Sequence, residues 1–193
     1  KLCAGELTAT LAFNGGCSRW DADAITATWR KEGAGYMLNG DYRYVIDGHT
    51  AKLLIVAARA VGSSSAQGVS LFLLPASTAG VSCQWLPTMD QTRKQAAVHL
   101  DNVRVAEDAL MGEPGHGWDA LSKVIDLATI ALAAEQVGGC QQLLDMTVSY
   151  TGERVQFNRT IASYQAVKHK SADMMLKTEV ARSAIYYAAC IAQ

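Results

Sequence analysis

The segment Arg154-Val155-Gln156-Phe157, followed by Gln165, gathers the residue types that hold a flat, phosphate-bearing ligand. A guanidinium offers planar, two-point hydrogen bonding to phosphate oxygens. A phenyl ring can lie against a ring system, and a carboxamide can donate to or accept from an adenine or isoalloxazine edge. The same residues also suit a plain helix end, with Arg154 close to the C-terminal dipole. Residue types alone do not choose between the two.

Other groups offer less. Asn14-Gly15-Gly16-Cys17-Ser18 could present backbone amides to a phosphate, but it carries neither the GxGxxG nor the Walker pattern and reads as a turn. Cys17 and Ser18 have no base near them in sequence that would make either a nucleophile. His49, His99, His116 and His169 are scattered without ligand spacing, so no metal site is expected. Glu135 lies in an apolar helical stretch, either as a buried acid or as a helix-edge residue beside Gly138-Gly139.

The elements that must position these groups divide into two kinds. From about residue 7 to residue 111 the chain alternates in the manner of short strands with frequent turn signals. These include Leu7–Phe13, Ile25–Arg30, Tyr36–Leu38, Tyr42–Ile46, Lys52–Ala58, Val69–Leu74, Val81–Leu86 and Ala96–Leu100. Asn39-Gly40 is expected to close a hairpin, since both residues tolerate positive φ. The pattern indicates an antiparallel barrel or sandwich over residues 1–111. After Gly112-Glu113-Pro114-Gly115-His116-Gly117 the period becomes helical, with Leu121, Val124, Ile125, Leu132, Val137, Leu144 and Val148 on one stripe from Trp118 to about Tyr150. Gly138-Gly139 should weaken that helix unless another backbone packs closely there. Arg154–Ile161 connects to a second helix for which Ser163 is the expected cap. The fold class is therefore α+β, with residues 112–193 forming two long antiparallel helices of an incomplete four-helix bundle.

Composition sets outer limits. The chain has 193 residues, 17 basic against 18 acidic, for a net charge of -1, which speaks against a nucleic-acid or anionic-membrane surface. With 50% hydrophobic residues it is too apolar for disorder, yet no run reaches the roughly 20 apolar residues of a membrane span. Five dispersed cysteines with no CxxC pair read as free thiols of a reducing compartment, hence a cytoplasmic protein. The first residue is Lys, and Ala184–Gln193 is helical in pattern with no Gly, Asn or Pro, so the sequence is expected to be a fragment of a longer protein.

Four segments, in order, resemble the acyl-CoA dehydrogenase family. Residues from Tyr150 through Arg154, Gln156, Phe157, Ile161, Gln165 and His169 to Ala172-Asp173-Met174 are similar to its signature Y-x-x-x-R-x-Q-F-G-x-x-I-x-x-F-Q-x-x-x-H-x-x-A-D-M. Tyr36–Gly48 is like its flavin-facing strand, Val103–Trp118 like the junction into its C-terminal helices, and Ala133–Gly139 like the first of those helices. Thr88–Arg93 is similar to the form found in actinobacterial members.

The resemblance implies an FAD enzyme that converts an acyl-CoA thioester to a trans-2-enoyl-CoA and passes electrons to an electron-transfer flavoprotein. It implies that Arg154, Gln156, Phe157 and Gln165 hold FAD, mostly that of a neighbouring subunit in a homo- or hetero-oligomeric dimer or tetramer. Ser18, Tyr44 and Ile46 would face the flavin, and Asp126 and Ser18 would contact substrate. Departures are marked. The family's T-E-P-G-x-G-S-D corresponds to Ala12-Phe13-Asn14-Gly15-Gly16-Cys17-Ser18-Arg19, its Trp to Tyr44, its flavin-bonding Thr to Ile46, and the Gly of its signature to Asn158. Ala128 and Thr129 stand where a minority of members carry the catalytic base and an Arg, so no base is assigned. The alternatives are a subunit that completes a partner's FAD pocket without full catalysis, and a non-enzymatic acyl-CoA-binding or structural relative.

Overall fold

The computed structural model describes residues 1–17 and 19–192, so Ser18 lies outside the described residues. Among the described residues, ten strands and two long helices follow one another in two units, residues 1–122 and residues 123–193.

In the first unit, β1 (Ala9–Ala12), β2 (Thr28–Glu32), β3 (Gly35–Ile46), β4 (Leu53–Ala60), β5 (Val69–Pro75), β6 (Val81–Leu86), β7 (Gln95–Ala106) and β8 (Leu110–Met111) form one sheet. Its order is β6-β7-β3-β2-β4-β5-β8, with β1 attached to β4. The pairings are antiparallel except for β1 with β4 and β2 with β4, and the sheet does not close into a barrel. Side chains of β3 and β7 (Leu38, Tyr42, Val98, Leu100) share one buried cluster with those of β4 and β5 (Leu54, Val56, Phe72, Leu74). The Tyr42 hydroxyl donates to the Ala57 carbonyl at 3.0 Å across that core. Burial raises its pKa far above the ordinary phenol value, so it remains a neutral donor. Trp29, Tyr36 and Phe72 pack edge-to-face with centroids 5.3 to 6.1 Å apart.

The expected hairpin at Asn39-Gly40 is instead a β-bulge within the continuous twelve-residue β3. The turn falls earlier, at Gly33-Ala34, where Glu32 pairs with Gly35. The physical reason is the neighbour: a Cβ on Gly40 would lie 2.5 Å from Ala27 Cα, and Gly40 adopts φ +149°. Glycine is there for close approach, not for reversal.

The second unit holds most of α1 (Trp118–Glu153), the short strands β9 (Val155–Gln156) and β10 (Arg159–Thr160), and α2 (Gln165–Ile191). Of the expected stripe on α1, Leu121, Ile125, Val137 and Leu144 are buried, while Val124, Leu132 and Val148 are exposed. On α2 the half-buried or buried positions Val167, Ser171, Met174, Thr178, Ala181, Ile185 and Ala188 recur at alternating four- and three-residue steps. That is the seam of a coiled-coil-like pair. Arg182 Nη2 donates to Gln141 Oε1 at 2.7 Å and fixes the two helices side by side. Apart from the neighbouring backbone of α1 itself, no described atom lies within 4 Å of a Cβ built on Gly138 or Gly139, so no other described element of this chain packs closely there. Ser163 is not the cap of α2: that position is Tyr164, and the Ser163 hydroxyl donates to the Thr160 carbonyl at 2.7 Å.

Candidate functional site

Helix α1 ends where Arg154 N–H donates to the Tyr150 carbonyl, and the chain reverses at once. Gln156 pairs with Arg159 and Val155 with Thr160, and Ile161 N–H donates to the Arg154 carbonyl at 2.8 Å, extending the ladder. The two central residues, Phe157 and Asn158, both have positive φ, 54° and 61°. This is the turn whose twist matches a two-residue hairpin. For Asn158 the conformation is easy; for Phe157 it costs on the order of 1–2 kcal/mol. The ring gains no burial in exchange, since Phe157 is 89% exposed.

The hairpin is braced from the side of α2. The Tyr164 hydroxyl donates to the Gln156 carbonyl at 3.1 Å, and the Arg159 guanidinium stacks on the Tyr164 ring 4.0 Å from its centroid. Among the described residues the Arg154 guanidinium has no ion-pair or hydrogen-bond partner, and Gln156 Nε2 bonds only its neighbour, the Val155 carbonyl. Gln165 is the first residue of α2, next to the Tyr164 that holds Gln156. Arg154, Gln156 and Phe157 thus lie exposed on the hairpin, and the exposed Gln165 opens α2 one residue after the Tyr164 that braces it. Tyr164 and Arg159 are supports that the residue types did not reveal, because their contact depends on the hairpin's reversal.

Asp126 is not part of that corner. It is exposed on α1, 28 positions before Arg154, which along a helix is about 42 Å.

In the first unit, Tyr44 sits in the second bulge of β3, between Tyr42 and Val45, at φ 60°. Tyr44 and Ile46 are both about half exposed. Thr10 Oγ1 donates to the Ile46 carbonyl at 2.6 Å, and Arg43 N–H donates to the Asn14 carbonyl at 3.0 Å. The loop at Asn14 uses its own amides: Gly15 N–H goes to the Ala24 carbonyl and Gly16 N–H to Asn14 Oδ1. Arg19 pairs with Asp21 at 2.6 Å and Asp23 at 3.2 Å. The proposed contact residue Ser18 lies outside the described residues.

Two shallow depressions of about 430 and about 390 Å³ open over Glu32, Tyr36 and Arg104 and over Gly68, His116 and Trp118. Neither includes an expected site residue. Among the described residues no group of three or more His, Cys, Asp or Glu could hold a metal ion, and no helix is long and apolar enough to cross a membrane.

Residues 115–192 match the family model for the acyl-CoA dehydrogenase C-terminal domain. The chain is 31% identical to a 3-(aryl)acrylate reductase of Clostridium sporogenes, covering 96% of this chain and 50% of that one. It is 30% identical to the human mitochondrial short-chain specific acyl-CoA dehydrogenase, covering 89% of this chain and 42% of the relative. The three-dimensional structure of butyryl-CoA dehydrogenase from Megasphaera elsdenii superposes with a TM-score of 0.87 at 27% identity, covering 98% of this chain and 50% of that one. The chain spans about half the length of the curated relatives it matches. Ordered signature, helical-domain match and superposition together show that the chain belongs to the acyl-CoA dehydrogenase family.

Proposed function

We propose that the protein containing this chain is an FAD-dependent acyl-CoA dehydrogenase that converts an acyl-CoA thioester to a trans-2-enoyl-CoA. The observation that carries this reading is the hairpin corner, where a strained and uncovered Phe157 stands between an unpaired guanidinium and a carboxamide. Strain of this kind persists where the surroundings enforce it, and it concentrates at ligand sites. The donor set fits the dinucleotide: Arg154 would hold pyrophosphate oxygens, Phe157 would lie against a ring, and Gln156 and Gln165 would bond ring or ribose edges. FAD, when bound, supplies hydride acceptance from the substrate's Cβ.

The chain's own residues then bind and orient. Tyr44 and Ile46 present one aromatic and one aliphatic surface from β3 toward the cofactor, and Asp126 contacts the CoA portion. Asp126 and the hairpin stand about 42 Å apart along α1, so the two would serve opposite ends of the ligands at any one site or serve two different sites. The second arrangement is that of a dimer or tetramer in which the hairpin reaches a neighbour's FAD. We place residues 1–111 as the middle domain and 112–193 as part of the C-terminal domain. An electron-transfer flavoprotein is the proposed acceptor, and the free cysteines are consistent with a cytoplasmic protein.

A second reading rests on Ile46, whose side chain offers no hydrogen bond to a flavin: the chain would belong to a subunit that completes a partner's FAD pocket. Purification of the full-length protein separates the two. Flavin absorption that bleaches with acyl-CoA supports catalysis by this protein alone. Colour and turnover that arise only on co-expression with a related subunit support the second reading. A colourless protein in both preparations overturns both.

A further inference from the structure

We propose that Asn14 is a positioning residue that locks its loop onto the Tyr44 bulge of β3. The proposal rests on the flavin-facing role given to Tyr44 above, but its geometry stands apart from any cofactor. Asn14 bonds in three directions. Its carbonyl accepts from Arg43 N–H at 3.0 Å, in the residue immediately before Tyr44. Its Oδ1 accepts from Gly16 N–H at 2.7 Å, an Asx turn. Its Nδ2 donates to the carbonyls of Cys17 at 3.1 Å and Arg19 at 2.9 Å. One side chain therefore closes the loop on itself while its backbone ties the loop to the bulge.

The packing agrees. Gly16 has φ +101°, and a Cβ there would meet Arg43 Cδ at 2.9 Å, so the loop lies directly on the Arg43 stem. The amides of Gly15 and Gly16 are both used within the chain, so these two brace the loop and neither is offered to a phosphate. Pro stands at the corresponding place of the family motif, where its ring fixes φ covalently. In this chain hydrogen bonds replace that ring.

The test uses the full-length protein with Asn14→Ala and Asn14→Asp, the latter keeping the acceptor for Gly16 while losing the Nδ2 donors. Hydrogen exchange at Gly16 and Arg43 should accelerate by about tenfold or more in Asn14→Ala. Asn14→Asp should recover protection at Gly16 but leave Arg43 fast. In the flavin-bound protein Asn14→Ala should displace the flavin absorption band and raise KM for acyl-CoA more than it lowers kcat. Unchanged exchange at Arg43 in both variants overturns the proposal. So does an unchanged flavin band and KM beside a lowered Tm, which marks a purely structural residue. If the alanine variant does not fold, Arg43 exchange in Asn14→Asp decides alone. A colourless wild type removes the flavin reading and leaves the exchange test of Asn14 intact.

Discussion

The bulge at Tyr44 and the hairpin at Phe157 share one backbone feature and surround it with different side chains. Each holds an exposed aromatic residue at positive φ, 60° and 54°, and each is flanked by hydrogen bonds from outside it, long-range ones through Asn14 and Thr10 in one case and a local one from Tyr164 in the other. The hairpin and the start of α2 keep Arg154, Gln156, Phe157 and Gln165, the signature residues proposed above to hold a dinucleotide. The bulge keeps an aromatic at Tyr44 but has lost the donor at Ile46 and most of the neighbouring motif. Left-handed geometry at a bulky residue must be enforced from several sides, so it changes only when the surrounding scaffold does. A side chain that faces a ligand is under no such constraint from folding. The two regions thus share a backbone shape but differ in the side-chain chemistry they present, and they can be probed separately.

The largest expected effect falls on the hairpin. Arg154→Ala should weaken FAD binding to the full-length protein by ~1.5–3 kcal/mol, roughly 10- to 150-fold, through loss of a charge-assisted phosphate contact. Fluorescence titration of the apoprotein measures this. Unchanged flavin affinity would remove the hairpin from the site and with it the contrast between the two regions.

Phe157→Gly should move two properties in opposite directions. Relief of the left-handed strain should raise stability by about 1 kcal/mol, read as a higher Tm of the apoprotein. Loss of the ring should weaken flavin binding by about 0.5–1.5 kcal/mol. A fall in both would show that Phe157 supports the fold and was never held ready for a ligand.

The bulge should respond more weakly. Ile46→Thr restores a hydroxyl where the family carries one, and should tighten flavin binding by about 0.5–1.5 kcal/mol with a shift of the flavin band. No change in either would mean that Ile46 does not face the ring, and that the drift in this region extends to its geometry.

These contrasts also show what the sequence could reveal. The helices were legible because period and length agree over Trp118–Glu153 and Gln165–Ile191. The hairpin corner was legible as a set of residue types, though its reversal at Phe157-Asn158 was not, because Phe is a poor turn former. Asn39-Gly40 misled for the converse reason: its strong local turn preference lost to a tertiary contact with Ala27. The Ser163 cap failed similarly, its hydroxyl being used by the preceding turn at Thr160. The roles of Asn14 and Tyr164 depend on partners 29 and 8 positions away, Arg43 and Gln156, which no local pattern encodes.

The smallest effect concerns how the altered motif is held. Arg19 stands where the family carries an acidic residue, and its guanidinium bonds Asp21 and Asp23. The hydrogen bond from Arg19 holds the Asp21 carboxyl below its ordinary value of 3.8. A carboxylate with a lowered folded-state pKa stabilises the fold above its unfolded value, and that contribution disappears as pH falls through the lowered one. Wild-type Tm should therefore drop more steeply than that of Arg19→Ala between about pH 5 and about pH 3. The group is exposed, so the difference should be slight and should shrink with added salt. Asp90, likewise lowered by its hydrogen bond from Thr92, is common to both proteins and cancels in the comparison. Parallel Tm curves would show that the Arg19–Asp21 pair adds nothing to the loop, leaving Asn14 as the element that holds it.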